Sequence, residues 1–502
     1  MFKSMCKNPI LWTDGYKLCH KDQYPAHTEW VYETWTPRMS RIEGISHVVF
    51  FGLQGALAEI TNSFDANFFA QPEEEVVAAY EEAIATVFEN TNAKFAATHD
   101  SKHIRDLHRL GYLPIKVNAL QEGSLVPVGV PMFTIENTHP DFFWLPGYLE
   151  TQLSAFIWSP MTAATIADRY KRLLTGFAER TGDVNKVFTQ AGDFSMRGMG
   201  SPETAYRTAG GHLLSFGVSA TLSVREYLKS YYHAKSDVMM YTPSTEHSVM
   251  CSYGEDEVEA FRHLITTVYP SGNISIVSDT YDLWNVVDNV LPQLKDLIMA
   301  REGKVVIRPD SGDPVKIICG DAASDRSTVQ KGIVERLFEL FGGTTNSKGF
   351  KELDPHIGVV YGDSITVDRA DKICQGLLDK GFASTNTILG IGSYTYQYVT
   401  RDTFGFALKG TAEIVNGEFK AIQKRPATDT GNFKKSQKGM VAVVFEKDDF
   451  RLIDDLTPQT VADLGERNLL ETCYLNGEFV RTTRFEEIRN RLRTETIRVY
   501  GK

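Results

Sequence analysis

The chain has 502 residues, 42% hydrophobic and 23% charged, an ordinary globular composition long enough for two domains. Its net charge of −11 argues against a nucleic-acid partner, so any phosphate must be held by a few local cations and backbone N–H groups. The six cysteines are scattered, and neither a long apolar run nor a leader-like N-terminus is present, which predicts free thiols, no membrane span and a reducing, cytoplasmic setting.

Residues 9–20 mix a short apolar run with Asp14, Tyr16 and Lys17, and Tyr16 reads as a half-buried anchor. Residues 48–54 (V-V-F-F-G-L-Q) predict a strand, and 73–90 a helix with an acidic first turn. His99, His103 and His108 keep helical spacing but drift off one face, which predicts a solvated helix face rather than a metal site. Residues 113–138 read as two strands around Gly123 and Pro127, and an apolar helix starts at Trp144 and runs past residue 160.

From about residue 185, short apolar runs end in polar or glycine-rich turns, most of them separated by helices. The ends are Asp193 to Gly198, Ser219 to Thr221, Thr245 to Ser248, Ser278 to Asp282, Arg308 to Asp313, Tyr361 to Ser364 and Gly390 to Tyr394. Val258, Phe261, Leu264, Ile265 and Val268 carry a helical period, as do Ile333, Val334, Leu337, Phe338 and Phe341. This rhythm predicts an α/β fold with an incomplete or irregular parallel β/α barrel over 151–399, a doubly wound open sheet being the alternative. After residue 405 the crossovers stop. Asn416-Gly417 and Asn476-Gly477 mark hairpins, Lys434, Lys435 and Lys438 a loop, and 441–445 a strand. Residues 1–150 and 400–502 are therefore expected to form a second mixed, largely antiparallel domain.

The chemistry-bearing residues lie at the barrel's strand ends, where parallel α/β folds bind ligands. Arg308 and Asp310, two positions apart, can grip a carbonyl or phosphate and a diol. Asp279 and Asp282 offer acceptors for a sugar hydroxyl or a hydrated Mg²⁺. His247, beside Glu246, is a candidate for proton transfer or phosphoryl capture. Gly362 to Ser364 and Gly390 to Ser393 suit a phosphate cradle of backbone N–H groups. No Walker-type motif occurs, and Gly390-x-Gly392 is a poor match to a dinucleotide fingerprint.

Almost the full length resembles the nicotinamide phosphoribosyltransferases among the type II phosphoribosyltransferases. The motifs are T-D-G-Y-K (13–17), F-G-L-Q (51–54), D-F-x-x-R-G (193–198), E-T-A (203–205), E-H-S (246–248), V-S-D-x-Y-D (277–282), I-R-P-D-S-G (307–312), N-S-K-G (346–349), G-D (362–363) and T-R-D (400–402). The resemblance implies transfer of phosphoribosyl from its pyrophosphate donor to nicotinamide, with Mg²⁺ and with ATP as coupling cosubstrate through a phosphorylated His247. It implies a homodimer with shared sites. Phe194 and the other subunit's Tyr16 would sandwich the ring, Arg308 would bind the amide carbonyl and Asp310 the ribose hydroxyls, with Asp279 and Asp310 toward the metal. Arg197, Gly362, Asp363, Gly392 and Ser393 would hold the 5′-phosphate, and Arg38, Arg401, Lys409 and Lys424 would cross to the pyrophosphate. Ser275 and Ala220 join the substrate-binding set. Ala220 stands where the family's amide-selecting Asp falls, which opens nicotinic acid as an alternative base. A non-catalytic nucleotide-binding relative is a further alternative. Met196 stands at an aromatic position, Tyr241 at a serine position, and the G-I-G-S-Y loop requires Tyr394 to point away from phosphate.

Overall fold

The computed structural model describes residues 7–426 and 436–501, so Cys6, Lys434 and Lys435 lie outside the described residues. The chain divides into two compact units.

One unit comprises Met1–Thr162, Tyr227–Ala234 and Val399–Val499. Its main sheet joins both ends of the sequence by antiparallel pairing. Thr28–Pro37 pairs with Phe406–Val415 and with Phe133–Asn137, and Ile115–Ala119 pairs with Phe133–Asn137 and Glu471–Leu475. Both Asn-Gly pairs are hairpin tips: Asn416 and Asn476 take φ of 51° and 52°, each followed by a glycine at positive φ. Trp35 lies at the centre of the core, stacked between Phe133 and Phe406 at 5.7 and 5.5 Å.

Three expectations change here. The 48–54 run is strand only over His47–Val49; from Leu53 it is helix to Phe64. Gly52 turns the chain at φ 104°, and the buried Glu122 carboxylate accepts from Gly52 N–H and Gln54 N–H at the helix N-terminus. An apolar run of that length fits either element, and the deciding cap comes from far along the chain. Residues 113–138 hold three strands, with Leu125–Pro127 pairing back to His47–Val49. His99 and His103 are buried, not solvated: the Tyr80 hydroxyl lies 3.2 and 3.4 Å from their Nε2 atoms, and His103 packs edge-on against Trp144.

The other unit comprises Ala163–Glu226, Lys235–Tyr398 and Tyr500–Lys502. Its six-stranded parallel sheet runs in the order Val218–Ser219, Ala191–Asp193, Thr387–Ile391, Ile357–Tyr361, Val305–Arg308, Ile274–Val277. The strands are almost wholly buried and rich in Val and Ile, as a sheet covered on both faces requires. The seventh expected strand end, before Thr245, is irregular chain. It still bridges the two edges through the isolated pairings Val218↔Met240 and Ser244↔Ser275. The barrel is therefore closed on one side by two bridges instead of a ladder. The open doubly wound alternative does not hold.

Cys19, Cys251, Cys319, Cys374 and Cys473 are free thiols. Among the described residues no helix is long and apolar enough to cross a membrane.

Burial depresses the His103 imidazole from 6.5 to about 3. The unfolded chain therefore binds a proton between those values that the folded chain refuses, and stability falls as pH drops through this window. The loss attributable to this one group is about 2 kcal/mol between pH 7 and pH 5. Urea unfolding of His103→Gln at both pH values should show a pH dependence smaller by that amount.

Candidate active site

The expected rim residues of the barrel unit come together at the C-terminal ends of its strands. Parallel pairing sets Val277 beside Arg308, so the loops leaving both strands start level. Asp279 then fastens them. Its Oδ2 accepts from Asp310 N–H at 2.9 Å, Ser311 N–H at 2.7 Å and Ser311 Oγ at 2.5 Å. Its Oδ1 is buried and has no hydrogen-bond partner.

His247 begins a short helix at the irregular seventh position. Its Nδ1 lies 3.2 Å from Thr280 Oγ1. Its Nε2 lies 3.8 Å from Asp279 Oδ1 and 3.7 Å from Asp310 Oδ2, and the side chain is 45% exposed. Arg308 ties this position to its own strand by donating from Nη2 to Thr245 O at 2.7 Å, while Thr245 Oγ1 accepts from Val277 N–H. Arg308 Nε and Ser275 Oγ are buried without partners. These three polar atoms lie close together at one end of the barrel, where a ligand can supply their partners. Tyr361, next along, donates to Gly312 O at 2.8 Å; burial, with Asp279 and Asp310 near by, pushes its hydroxyl up to about 12.

The glycines leave room for carboxylates. A Cβ on Gly362 would stand 2.0 Å from Asp310 Oδ1, and one on Gly392 would stand 1.9 Å from Asp363 Oδ1. Asp363 Oδ1 also accepts from Ser364 N–H, with Ser364 at φ 61°. A Cβ on Gly198, beside the exposed Arg197, would meet Ser393 Oγ at 2.1 Å. The two predicted phosphate loops and the 197–198 turn thus form one contiguous wall. Tyr394 is 56% exposed and stacks on Tyr398 at 5.2 Å.

Phe194 and Ala220 stand side by side. Phe194 N–H donates to Ile391 O, and Ala220 N–H donates to Asp193 O at 2.8 Å. The Tyr241 ring meets Phe194 edge-on at 6.1 Å. Behind them Asp193 is fully buried and accepts from Ser195 N–H, Ser195 Oγ, Ser219 Oγ and Thr221 Oγ1 at 2.6–3.1 Å.

Two carboxylates at the rim, Asp279 with a free buried oxygen and Asp310 half-open, suit a Mg²⁺ that keeps waters and substrate phosphates. Among the described residues no cluster of three or more His, Cys, Asp or Glu could hold a metal alone. Asp282 caps the next helix through Trp284 N–H and pairs with Arg326 at 3.3 Å.

The remaining candidates belong to the other unit. Tyr16 is 57% exposed, not half-buried, with Lys17 Nζ 5.3 Å from its ring centre. Glu150 binds Lys17 at 2.6 Å and Lys409 at 2.8 Å, which gathers the two ammonium groups around one carboxylate. Burial lowers the Lys17 ammonium, but Glu150 outweighs it and holds it above its usual value. Arg38 donates to Gly405 O at 2.8 Å, and Arg401 pairs with Asp402 at 3.2 Å, close in the chain. Lys424 is exposed.

Residues 189–478 match the model of the nicotinate phosphoribosyltransferase (NAPRTase) family, and residues 8–117 match that of the nicotinamide phosphoribosyltransferase N-terminal domain. The chain belongs to the nicotinate phosphoribosyltransferase family. It is 45% identical over 500 residues, 97% of each chain, to the nicotinamide phosphoribosyltransferase of Acinetobacter baylyi. It is 35% identical to that of Mycoplasma pneumoniae over 431 residues, 84% of this chain and 92% of the other. In fold it resembles the nicotinate-nucleotide pyrophosphorylase of Pyrococcus furiosus, at TM-score 0.59 and 16% identity, covering 99% of this chain and 98% of that one. The protein is a phosphoribosyltransferase.

Sequence reading places Thr245, Thr280, Ser311 and Asp193 at the strand ends but gives them no role of their own, and all are hydrogen-bonded to predicted residues. Thr280 and Ser311 directly follow predicted carboxylates, and Asp193 precedes Phe194 at a strand end, which is the signal that marks them.

Two glycine variants separate shape from chemistry. In Gly362→Ala the new Cβ displaces the Asp310 carboxylate, so phosphoribosyl transfer should fall at least about tenfold with little change in Tm, because a flexible side chain can move. In Gly390→Ala the Cβ meets the carbonyl oxygens of Tyr361 and Gly362 at 2.6 Å, so the fold should lose about 1–3 kcal/mol, read by thermal unfolding.

Proposed function

We propose that the protein transfers the phosphoribosyl group of 5-phosphoribosyl 1-pyrophosphate to nicotinamide, giving nicotinamide mononucleotide and pyrophosphate for NAD salvage in the cytoplasm. The observation that carries this reading is the convergence of Arg308, Asp310, Asp279 and His247 on one rim that holds three orphaned buried atoms. The names of the Acinetobacter and Mycoplasma relatives support it.

In this reading the ring nitrogen attacks C1 of the ribose as the bond from C1 to the pyrophosphate oxygen breaks. The pyrophosphate leaves with the electron pair, and the sugar passes through an oxocarbenium-like state. The protein's work is positioning and electrostatics. Phe194 stacks on the ring, Arg308 binds the amide carbonyl, Asp310 binds the ribose hydroxyls, and Ser275 lies deep in the substrate site. Arg197, Gly362, Asp363, Gly392 and Ser393 hold the 5′-phosphate. Tyr16 covers the second ring face from the partner in a homodimer, and Arg38, Arg401, Lys409 and Lys424 reach the pyrophosphate. Asp279 and Asp310 would hold Mg²⁺, which supplies charge neutralisation on the leaving group.

His247 couples ATP to the reaction. Nδ1 lies 3.2 Å from Thr280 Oγ1; in the tautomer with the proton on Nδ1, the Nε2 lone pair attacks the γ-phosphorus, the bond to the β,γ-bridging oxygen breaks, and ADP departs with that oxygen. Ala220 favours a second reading, in which the base is nicotinic acid, because no carboxylate stands at that position to repel one.

Product analysis with each base, with and without ATP, tests these statements. Mononucleotide should form from nicotinamide, phosphoribosyl pyrophosphate and Mg²⁺, with kcat/KM at least about tenfold above that for nicotinic acid. Its absence rejects the proposal, and the reverse preference selects the second reading. His247→Ala should retain basal transfer and lose ATP stimulation; unchanged stimulation removes His247 from the coupling.

A further inference from the structure

The slot walls Phe194 and Ala220 are joined through one buried group. Asp193 ends its strand between them, is 0% exposed, and takes both its main-chain and side-chain bonds from this neighbourhood. Its carbonyl accepts from Ala220 N–H, and its Oδ2 accepts from Ser219 Oγ at 2.8 Å and Thr221 Oγ1 at 3.0 Å, one residue to either side of Ala220. Its Oδ1 accepts from Ser195 N–H at 3.1 Å and Ser195 Oγ at 2.6 Å, immediately after Phe194. All four donors to the carboxylate are neutral. His212, the titratable group whose charge acts on it, is itself fully buried; burial lowers its pKa while Asp193 raises it. Among the described residues no ion pair reaches the Asp193 carboxylate, whose bonds come from these neutral donors.

We infer that Asp193 is a positioning residue that fixes both walls of the base slot and, by its unpaired buried charge, turns the slot toward an uncharged ring amide and against a ring carboxylate. This deepens the proposed phosphoribosyl transfer to a pyridine base and rests on that reading. Two opposed charges border the slot. Arg308 attracts an oxygen present on both bases and pulls a carboxylate harder. Asp193 repels the carboxylate from behind Ala220, through low-dielectric protein with little screening. The amide, with no net charge, feels Asp193 mainly through the fixed orientation of Ser219 and Thr221. The charge that selects the base is thus set behind the wall at Ala220 and need not lie on its surface.

The test compares wild type, Asp193→Asn and the double variant Ser219→Ala/Thr221→Val. For each, kcat and KM are measured with nicotinamide and with nicotinic acid, together with KM for phosphoribosyl pyrophosphate and Tm. Asp193→Asn removes the charge at nearly constant shape, so the amide-to-acid ratio of kcat/KM should fall by about tenfold, while KM for phosphoribosyl pyrophosphate holds. The double variant keeps the charge and loosens the wall, so KM should rise for both bases with their ratio unchanged. A folded Asp193→Asn protein with the wild-type ratio overturns the inference. If Asp193→Asn does not fold, a double variant with unchanged KM for both bases overturns it. Wild-type protein that makes no mononucleotide from either base fails the proposed reaction itself, an outcome distinct from either of these.

Discussion

A single carboxylate oxygen sets the geometry of the rim. Asp279 Oδ2 collects three donors from the loop that follows the neighbouring strand, and this fixes where Asp310 and Ser311 stand. A loop leaving a buried strand with Pro309 and Gly312 in it has few hydrogen bonds of its own. The carboxylate supplies them. Because Oδ2 is saturated, Oδ1 is left free and buried beside His247. One group thus does two things: it orders a loop and it presents an unmet acceptor. Arg308 extends the same logic sideways, since its bond to Thr245 O holds the irregular seventh segment against the barrel where no ladder does. That bond and the pairing of the segment with Ser275 hold the chain that carries His247.

Much of this was legible in the sequence because buried parallel strands have a distinctive text. An apolar run that stops abruptly at charged and glycine residues marks a strand end, and here that pattern recurs around the barrel. The Asn-Gly hairpins were legible for a local reason too, since positive φ at both tip residues selects those types. What could not be read is what distant residues decide. The helix at Leu53 depends on Glu122, and the burial of His103 depends on Tyr80 and Trp144. At Thr245 to Ser248 the polar rim residues were evident, but the missing ladder before them was not, because two bridges at Met240 and Ser244 leave no pattern in five residues. Thr280 and Asp193 were invisible as functional groups since each acts through a neighbour.

In this acidic chain several of the cations proposed for the substrate are already held by acceptors. Arg308 is held by Thr245 O, Arg38 by Gly405 O, and Lys409 by Glu150. A cation already fixed by an acceptor loses little freedom when a phosphate or carbonyl arrives, so its charge is delivered without an ordering cost. Glu150 shows the balance in miniature. It sits between two ammonium groups; burial first, and then the Glu150 charge, push the carboxyl of Glu33 up to about 7 against the pull of Lys17 and Lys409.

The two key carboxylates differ in what surrounds them, and that difference assigns their work. Asp279 keeps one oxygen for a ligand and lies at an open rim, where its charge can meet a cation or a developing positive centre directly. Asp193 has every bond satisfied by neutral donors and no solvent, so it can touch nothing that enters the site. A carboxylate in that state acts at a distance or through the groups that bind it. Ser195, Ser219 and Thr221 are those groups, and they flank the two residues that form the slot. A buried, fully bonded charge behind a small residue is a stiffer selector than an exposed acid in contact with the base, because it has no rotamer to change when the wrong ligand arrives.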